Sequence, residues 1–282
     1  VQAASDADLA VVFAGLNAEW DNEGLDRHSL ELPQRQNELI ARVVAANPRT
    51  VVVLQTGSPV TLPWLDAVPA VLQAWYPGQE CGNSIADVLL GAAEPGGRLT
   101  QTWPLREQDG VAFGQPLNYP GQDGHVRYDE GLLIGYRHYQ QRGLQTLFPF
   151  GHGLSYTEFE YGPIRSLPSR FKVGDSITVE VPVRNTGRRA GQAVVQLYVQ
   201  DEACSVQRPL RELKGFAKLQ LDAGESGLAR LTLPMRAFAF FDDSRAAWVA
   251  EAGRFQLQAG VSVDRIMASA TVELEGDWIE PA

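Results

Sequence analysis

The sequence has few cysteines, no long apolar run and fewer basic than acidic residues. Its two cysteines, Cys81 and Cys204, fall in different predicted domains, so we expect two free buried thiols and no disulfide. No apolar run approaches the roughly 20 residues of a membrane span. The 24 basic and 34 acidic residues leave a net charge of −10. This charge disfavours nucleic acid and anionic membranes as partners, because both would be repelled, and suits a neutral ligand such as a sugar.

Several functional motifs are also missing. The sequence contains no P-loop and no dinucleotide-binding fingerprint. Its nearest serine pattern, Gly57-Ser58-Pro59, lacks the Gly-x-Ser-x-Gly elbow of serine hydrolases. The four histidines are scattered without the spacing of a metal site: His28, His125, His138 and His152. The sequence therefore predicts neither a metal nor a cofactor.

The first half of the chain alternates predicted strands and helices. Leu9–Gly15 is a continuous apolar run, which is typical of a strand covered on both faces. Alternation of this kind predicts a parallel sheet with helices on its faces. The further predicted elements are a helix over Pro33–Asn47, strands at Thr50–Gln55 and Ala70–Trp75, a helix over Gly82–Leu90, a strand at Leu99–Trp103, and ordered loops with short strands over Pro104–Gly153.

The second half predicts an all-β domain of about 100 residues. Ile177, Val179, Val181 and Val183 alternate with polar residues, the pattern of a half-buried strand. Further short strands are predicted at Ala193–Val199, Gly227–Leu233, Phe238–Phe241, Arg254–Gly260 and Met267–Leu274. The change of pattern near Tyr161 to Ser169 divides the chain into predicted domains 1–160 and 161–282.

The segment after the first predicted strand, Asn17–Leu32, is strongly acidic, and we call it the acidic loop. It carries Glu19, Asp21, Glu23 and Asp26, with Arg27 beside them. Ligands are handled at the carboxyl ends of strands in a parallel sheet, so this loop is a candidate for carboxylate chemistry. Composition alone favours a simpler interpretation, a solvated acidic loop without chemistry.

A series of short motifs occurs in order along nearly the whole chain: Glu23-Gly24-Leu25-Asp26-Arg27, Gln73-Ala74-Trp75-Tyr76-Pro77-Gly78-Gln79-Glu80, Pro95-Gly96-Gly97-Arg98-Leu99, Gly135-Tyr136-Arg137-His138-Tyr139, Phe148-Pro149-Phe150-Gly151-His152-Gly153-Leu154-Ser155-Tyr156-Thr157 and Glu212-Leu213-Lys214-Gly215-Phe216. Together they resemble the C-terminal part of glycoside hydrolase family 3 β-glucosidases. The resemblance implies an incomplete three-layer α/β sandwich with a mostly parallel sheet, followed by a fibronectin-type-III-like β-sandwich.

The resemblance also implies an active site shared with another part of the enzyme. Family members are retaining enzymes whose aspartate nucleophile lies on an N-terminal (β/α)8 barrel and whose acid/base is a glutamate of the second domain. Glu23 matches that glutamate. The implied partners are the barrel portion of the same enzyme and a β-glucoside. A PA14-type domain before Val1 and a homodimer of the assembled enzyme are left open, and so is the cellular compartment.

Other residues of the site have simpler interpretations. We expect Asp26 and Arg27 to hold the loop in place by pairing with other groups, and Glu19 and Asp21 to face solvent. Glu130 is the alternative acid, although its place near the domain junction favours a structural role. Trp20, Trp75 and Tyr76 are residue types that stack on sugars, but packing in a core or an interface is the simpler interpretation.

Two other functions compete with the hydrolase. The chain is alternatively a non-catalytic carbohydrate-binding or scaffolding pair of domains, which predicts tight glucose binding by this chain alone. A flavodoxin-like receiver or nucleotide-binding domain is the third interpretation. It requires a phosphate-binding glycine loop or a phosphorylatable aspartate at a strand end, and the sequence has no clear example of either.

Overall fold

The protein, described here from a computed structural model that covers residues 1–282, forms two compact units. The first comprises residues 1–93 and 103–114, and the second comprises residues 94–102 and 115–282. The domain ranges 1–160 and 161–282 follow from sequence pattern and stay a prediction. The predicted fold class is confirmed: a parallel α/β arrangement is followed by an all-β sandwich.

The first unit contains a three-stranded parallel sheet with the strand order β1-β2-β3. Val12 of β1 is paired with Val52 of β2, and Val52 is in turn paired with Val71 of β3. The elements of this unit are α1 (Gln2–Ser5), β1 (Ala10–Gly15), α2 (Gln36–Ala46), β2 (Thr50–Gln55), β3 (Ala70–Gln73), α3 (Cys81–Leu89) and β4 (Trp103–Pro104).

Helix α2 covers one face of this sheet. Its Ile40 and Val43 are buried, as helical spacing of the apolar positions predicts. The helix begins at Gln36, so the expectation that Pro33 lies in its first turn is wrong. Gln34 has φ +54°, a left-handed conformation that prevents the helix from extending back to Pro33.

The opposite face of β1 is largely uncovered. Burial alternates along the strand: Ala10, Val12 and Ala14 are buried, whereas Val11 and Phe13 are 39% and 55% exposed. β1 is also an edge strand. The prediction that β1 is covered on both faces is therefore wrong for this chain, although its residues are apolar on both faces, as a fully covered strand requires.

The second unit contains a β-sandwich. One sheet has the strand order β10-β9-β14-β15-β7, and another has the order β11-β8-β6. The elements are α4 (Tyr136–Gln141), β5 (Thr146–Phe148), β6 (Phe159–Tyr161), β7 (Arg170–Phe171), β8 (Ile177–Asn185), β9 (Gly191–Asp201), β10 (Glu212–Leu221), β11 (Ser226–Leu233), β12 (Phe240–Asp242), β13 (Ala247–Ala250), β14 (Gly253–Gly260), β15 (Ile266–Leu274) and β16 (Trp278–Pro281).

Alternating apolar side chains build the core of the sandwich. The alternation predicted for β8 is confirmed, because Ile177, Val179, Val181 and Val183 are all at most 1% exposed. They belong to one cluster with buried side chains of β9, β11, β14 and β15. Burial of apolar area on this scale is the main stabilising contribution to such a domain.

Two predictions between residues 99 and 153 are wrong. Leu99–Thr102 is not a strand, and only Trp103–Pro104 is extended in that region. Leu99 exchanges single backbone hydrogen bonds with Gly151 and His152, and Pro149 has no N–H with which to continue a ladder. Within the predicted loops, α4 forms a helix whose His138 and Tyr139 are buried.

A buried arginine joins two strands of the sandwich. The side chain of Arg208 is 6% exposed and donates to the carboxylates of Asp201 and Glu212 at 3.2 and 2.7 Å. The same guanidinium donates to the carbonyl oxygens of Phe238 and Ala239 at 2.8 and 3.3 Å. Because a buried guanidinium needs all these acceptors, the network holds β9, β10 and the segment before β12 together.

Glu212 lies at the centre of this network. Burial acts to raise the pKa of its carboxyl, but Lys214, Arg208 and Arg137 outweigh burial and hold the pKa below the ordinary value of 4.5. A depressed folded-state pKa stabilises the fold above the unfolded-state pKa, and that stabilisation is lost as the pH falls through the folded-state value.

We therefore expect Glu212→Gln to lower the free energy of unfolding at pH 7 by about 3 kcal/mol, because it leaves Arg208 partly unpaired. Urea unfolding at pH 7 and at steps below pH 4.5 measures the effect. The difference from the unsubstituted chain should shrink as the pH falls. Glu280→Gln is the control, since its pair with Arg236 is about half exposed and should contribute under about 1 kcal/mol. Equal effects of the two substitutions would contradict this assignment.

Candidate active site

Three loops meet at the carboxyl edge of the parallel sheet. The acidic loop follows β1, Gly57-Ser58-Pro59 follows β2, and Trp75-Tyr76 follows β3. This convergence is a consequence of parallel strand order, which places successive strand ends side by side. Hydrogen bonds among the three loops then determine where the acidic loop lies.

The base of the acidic loop is attached to the start of α2. The backbone N–H of Gly15 donates to Oε1 of Gln36 at 2.8 Å, and Nε2 of Gln36 donates to the carbonyl oxygen of Gly15 at 2.9 Å. A Cβ at position 15 would lie 2.1 Å from the carbonyl oxygen of Gln55. Glycine is therefore required where β1 ends against β2.

Arg27 anchors the loop to the end of β2. Its Nη1 donates to Oγ of Ser58 at 2.6 Å and to the carbonyl oxygen of Pro59 at 3.3 Å. The guanidinium is half-buried, and this burial lowers its pKa, whereas Asp21, Tyr76 and Glu107 oppose the shift. The expectation that Arg27 holds the loop agrees with these contacts, but its acceptors are a hydroxyl and a carbonyl rather than an acid.

Asp21 anchors the loop to the segment after β3. The hydroxyl of Tyr76 donates to Oδ2 of Asp21 at 2.6 Å, the length of a charge-assisted O–H···O bond. Burial and this hydrogen bond raise the pKa of Tyr76 to about 12. The expectation that Asp21 simply faces solvent is wrong, because the residue is only partly exposed and its carboxylate is bonded to a residue far along the chain.

A third anchor holds the end of the acidic loop. The carboxylate of Glu107 accepts hydrogen bonds from Oγ of Ser29 at 3.2 Å and from the backbone N–H of Leu30 at 3.3 Å. The carbonyl oxygen of Leu30 accepts from the N–H of Thr61 at 2.8 Å. Sequence reasoning missed Glu107, because nothing in its own neighbourhood connects it to residues 29 and 30.

Glu23 lies on the exposed part of the loop, between Asp21 and Arg27. The Asn22 side chain shapes this part: its Oδ1 accepts from the N–H of Gly24 at 2.9 Å, and its Nδ2 donates to the carbonyl oxygen of Ala18 at 3.1 Å. We call residues 22–26 the crest. The carboxyl group of Glu23 is therefore open to a ligand and is carried by a short segment anchored on both sides.

The other acids and aromatic residues singled out in the sequence lie apart from these anchors or at the surface. Glu19 is exposed, as expected. Asp26 is also exposed, so the expectation that it holds the loop by pairing with other groups is wrong. Glu130, the alternative acid, belongs to the second unit, where its Oε2 accepts a hydrogen bond from Nδ2 of Asn118 at 3.3 Å. Tyr76 is 53% exposed, so it is not a core aromatic. Cys81 and Cys204 are both free and half-buried, rather than fully buried.

No group of three or more His, Cys, Asp or Glu side chains is arranged to hold a metal ion. No helix combines the length and the apolar character that crossing a membrane would require.

Residues 1–156 match the sequence profile of the glycosyl hydrolase family 3 C-terminal domain, which accounts for more than half of the chain. The chain belongs to glycosyl hydrolase family 3. Residues 193–263 match a fibronectin type III-like domain. Both matches agree with the resemblance found in the sequence, and the chain corresponds to the C-terminal portion of family members.

Relatives in family 3 include several β-glucosidases. The chain is 48% identical over 280 residues to a β-glucosidase from Rhizobium radiobacter. The matched region covers 99% of this chain and 34% of the relative. It is 44% identical over 273 residues to thermostable β-glucosidase B from Acetivibrio thermocellus. This match covers 97% of this chain and 36% of the relative. The chain thus spans about a third of the length of these relatives.

Solved structures agree with this assignment. The β-glucosidase from Kluyveromyces marxianus in complex with glucose superimposes with a TM-score of 0.93 at 41% identity, over 99% of this chain and 33% of that one. β-Glucosidase 3B from Thermotoga neapolitana in complex with glucose superimposes with a TM-score of 0.90 at 32% identity. The match covers 100% of this chain and 39% of that one. The fold of the chain is therefore that of family 3 β-glucosidases over the matched part.

The contacts of Arg27 should determine how mobile the acidic loop is. We expect Arg27→Ala to free the crest, because it removes both hydrogen bonds to the segment after β2. Amide hydrogen exchange of residues 17–32 should become faster, by about tenfold for the loss of one net bond of ~1.4 kcal/mol. Arg42→Ala is the matched control, since Arg42 pairs only with Glu38 on the exposed face of α2. Equal exchange in the two variants would show that Arg27 does not hold the loop.

Proposed function

We propose that this chain supplies the general acid/base, Glu23, to a retaining, exo-acting β-glucosidase-type hydrolase. The nucleophile of this enzyme is an aspartate on a separate N-terminal (β/α)8 barrel. The observation that carries the proposal is the placement of Glu23, the family's matching glutamate, exposed at the carboxyl edge of the sheet between two anchored residues.

The chemistry needs two carboxyl groups acting in sequence. Glu23 in its acid form donates a proton to the glycosidic oxygen while the C1–O bond breaks and the aspartate carboxylate bonds to C1. Glu23, now a carboxylate, then accepts a proton from the water that attacks C1 and releases the aspartate. The sugar leaves with retained configuration, and Glu23 is again protonated.

The nearest other acid of the loop is poorly suited to be the nucleophile. A retaining enzyme keeps its two carboxyl groups about 5 to 5.5 Å apart, on opposite sides of the scissile bond. Asp21 lies two residues before Glu23, but its Oδ2 accepts a hydrogen bond from the hydroxyl of Tyr76. Relatives about three times as long as this chain offer space for a further catalytic domain.

The uncovered face of β1 supports the need for a second portion. Val11 and Phe13 are exposed apolar side chains on an edge strand, a surface that a folded protein normally covers. We propose that the missing part of the enzyme covers it. The β-glucoside substrate is proposed from the names of the relatives, which are β-glucosidases.

In the complete enzyme, we expect Glu23→Ala to lower kcat/KM for alkyl and phenyl β-glucosides by about 10²- to 10⁴-fold, because these leaving groups need a proton. The kcat/KM for 2,4-dinitrophenyl β-glucoside should fall far less, because this leaving group departs with little need of a proton. Glu19→Ala is the control, since Glu19 is an exposed acid of the same loop. Equal losses for all leaving groups would rule out an acid role for Glu23.

The isolated chain should not hydrolyse aryl β-glucosides, because it lacks the nucleophile, and adding the N-terminal portion should restore turnover. Steady-state assays of each part and of the mixture test this. Turnover by the chain alone would contradict the shared site. Tight glucose binding by the chain alone, measured by calorimetry, would instead favour a carbohydrate-binding module.

A further inference from the structure

We propose that Asp21 and Tyr76 are positioning residues that hold the crest so that the carboxyl group of Glu23 meets the glycosidic oxygen. The inference rests on the proposed function, since it concerns how the acid/base is aimed. It adds two residues that do not touch the substrate but on which proton transfer depends.

The first observation is the hydrogen bond itself. The 2.6 Å contact between the Tyr76 hydroxyl and Oδ2 of Asp21 joins two loops that are 55 positions apart in the sequence. Asp21 lies two residues before Glu23, so any movement of Asp21 is passed to the crest. Because the pKa of Tyr76 is raised to about 12, its hydroxyl remains a donor throughout the neutral range.

The second observation is the backbone conformation that presents Tyr76. Trp75 has φ +55°, a left-handed conformation that is uncommon for a bulky residue other than glycine. Such conformations persist only where the surrounding structure enforces them, and they cluster at functional sites. At Trp75 the chain turns away from β3, and the next residue is the one that reaches Asp21.

The third observation is the space beside the pair. A Cβ at Gly57 would lie 2.7 Å from Oδ2 of Asp21 and 2.9 Å from Cε2 of Tyr76. Both contacts are closer than real Cβ atoms tolerate, so a larger residue would push the pair apart. Glycine at this position therefore allows the loop after β2 to approach the Asp21–Tyr76 pair closely.

Asp21 and Arg27 together bracket the crest. Arg27 holds its C-terminal side through Ser58, and the Asp21–Tyr76 pair holds its N-terminal side. Between the two anchors, Asn22 supplies short-range hydrogen bonds to Gly24 and Ala18. These local bonds shape the crest, whereas the two anchors determine where it lies relative to the sheet.

The test uses the complete enzyme and the leaving-group series. Displacement of a catalytic group by about 1 Å can cost about 10²-fold, so we expect Tyr76→Phe and Asp21→Ala to lower kcat/KM for phenyl β-glucoside by about 10- to 100-fold. The loss for 2,4-dinitrophenyl β-glucoside should be under about threefold, because little proton transfer is needed there. Gly57→Ala should show the same pattern.

Asp21→Asn and Tyr128→Phe are the controls. An amide oxygen still accepts from Tyr76, so Asp21→Asn should recover most of the activity lost in Asp21→Ala. Tyr128 is 79% exposed, so removing its hydroxyl should change neither substrate's kinetics. Thermal unfolding identifies any variant that fails to fold, and the remaining variants then decide the result.

The outcomes separate this inference from the proposed function. Leaving-group-dependent losses in Tyr76→Phe, Asp21→Ala and Gly57→Ala would support the positioning role. The positioning role would be overturned if these three variants lost activity equally for both substrates, or lost none, while Glu23→Ala kept its leaving-group dependence. Glu23 would then remain the acid. Loss of that dependence in Glu23→Ala itself would overturn the proposed function.

Discussion

The parallel pairing of β1, β2 and β3 is the constraint on which the candidate site depends. It brings three strand ends to one edge, and the loops that follow are then close enough to bond to one another. Arg27 reaches the segment after β2, and Asp21 meets the hydroxyl of Tyr76 after β3. The acidic loop is therefore held by contacts from the whole sheet edge, and its exposed crest carries Glu23.

In the proposed function, this arrangement separates the acid/base, Glu23, from the rest of the hydrolytic site. The chain carries a glutamate that is open to a ligand and an apolar strand face that is largely uncovered. It also spans only about a third of the length of its β-glucosidase relatives. All three features follow if one domain provides a proton donor and another provides the nucleophile. The β-sandwich has its own buried core and its own buried ion network.

Sequence patterns predicted the elements that are stabilised by their own apolar periodicity. Strands β2 and β8 were predictable in this way, because their burial follows residue type and spacing. Helix α4 was not, since Tyr136–Gln141 is short and polar and its buried residues depend on tertiary contacts. The role of Asp21 was misjudged for the same reason: its partner Tyr76 is 55 residues away. The proposal for Glu23 rests on family motifs, whereas the anchors around it are visible only in the structure.

The most direct measurement is a crystal structure of the complete enzyme with an unhydrolysed β-glucoside analogue bound. The account predicts a carboxyl oxygen of Glu23 about 2.6 to 3.2 Å from the glycosidic oxygen, and a barrel aspartate whose carboxyl group lies about 5 to 5.5 Å from that of Glu23. A structure in which Glu23 points away from the glycosidic oxygen, with Glu130 or another acid in its place, would contradict it.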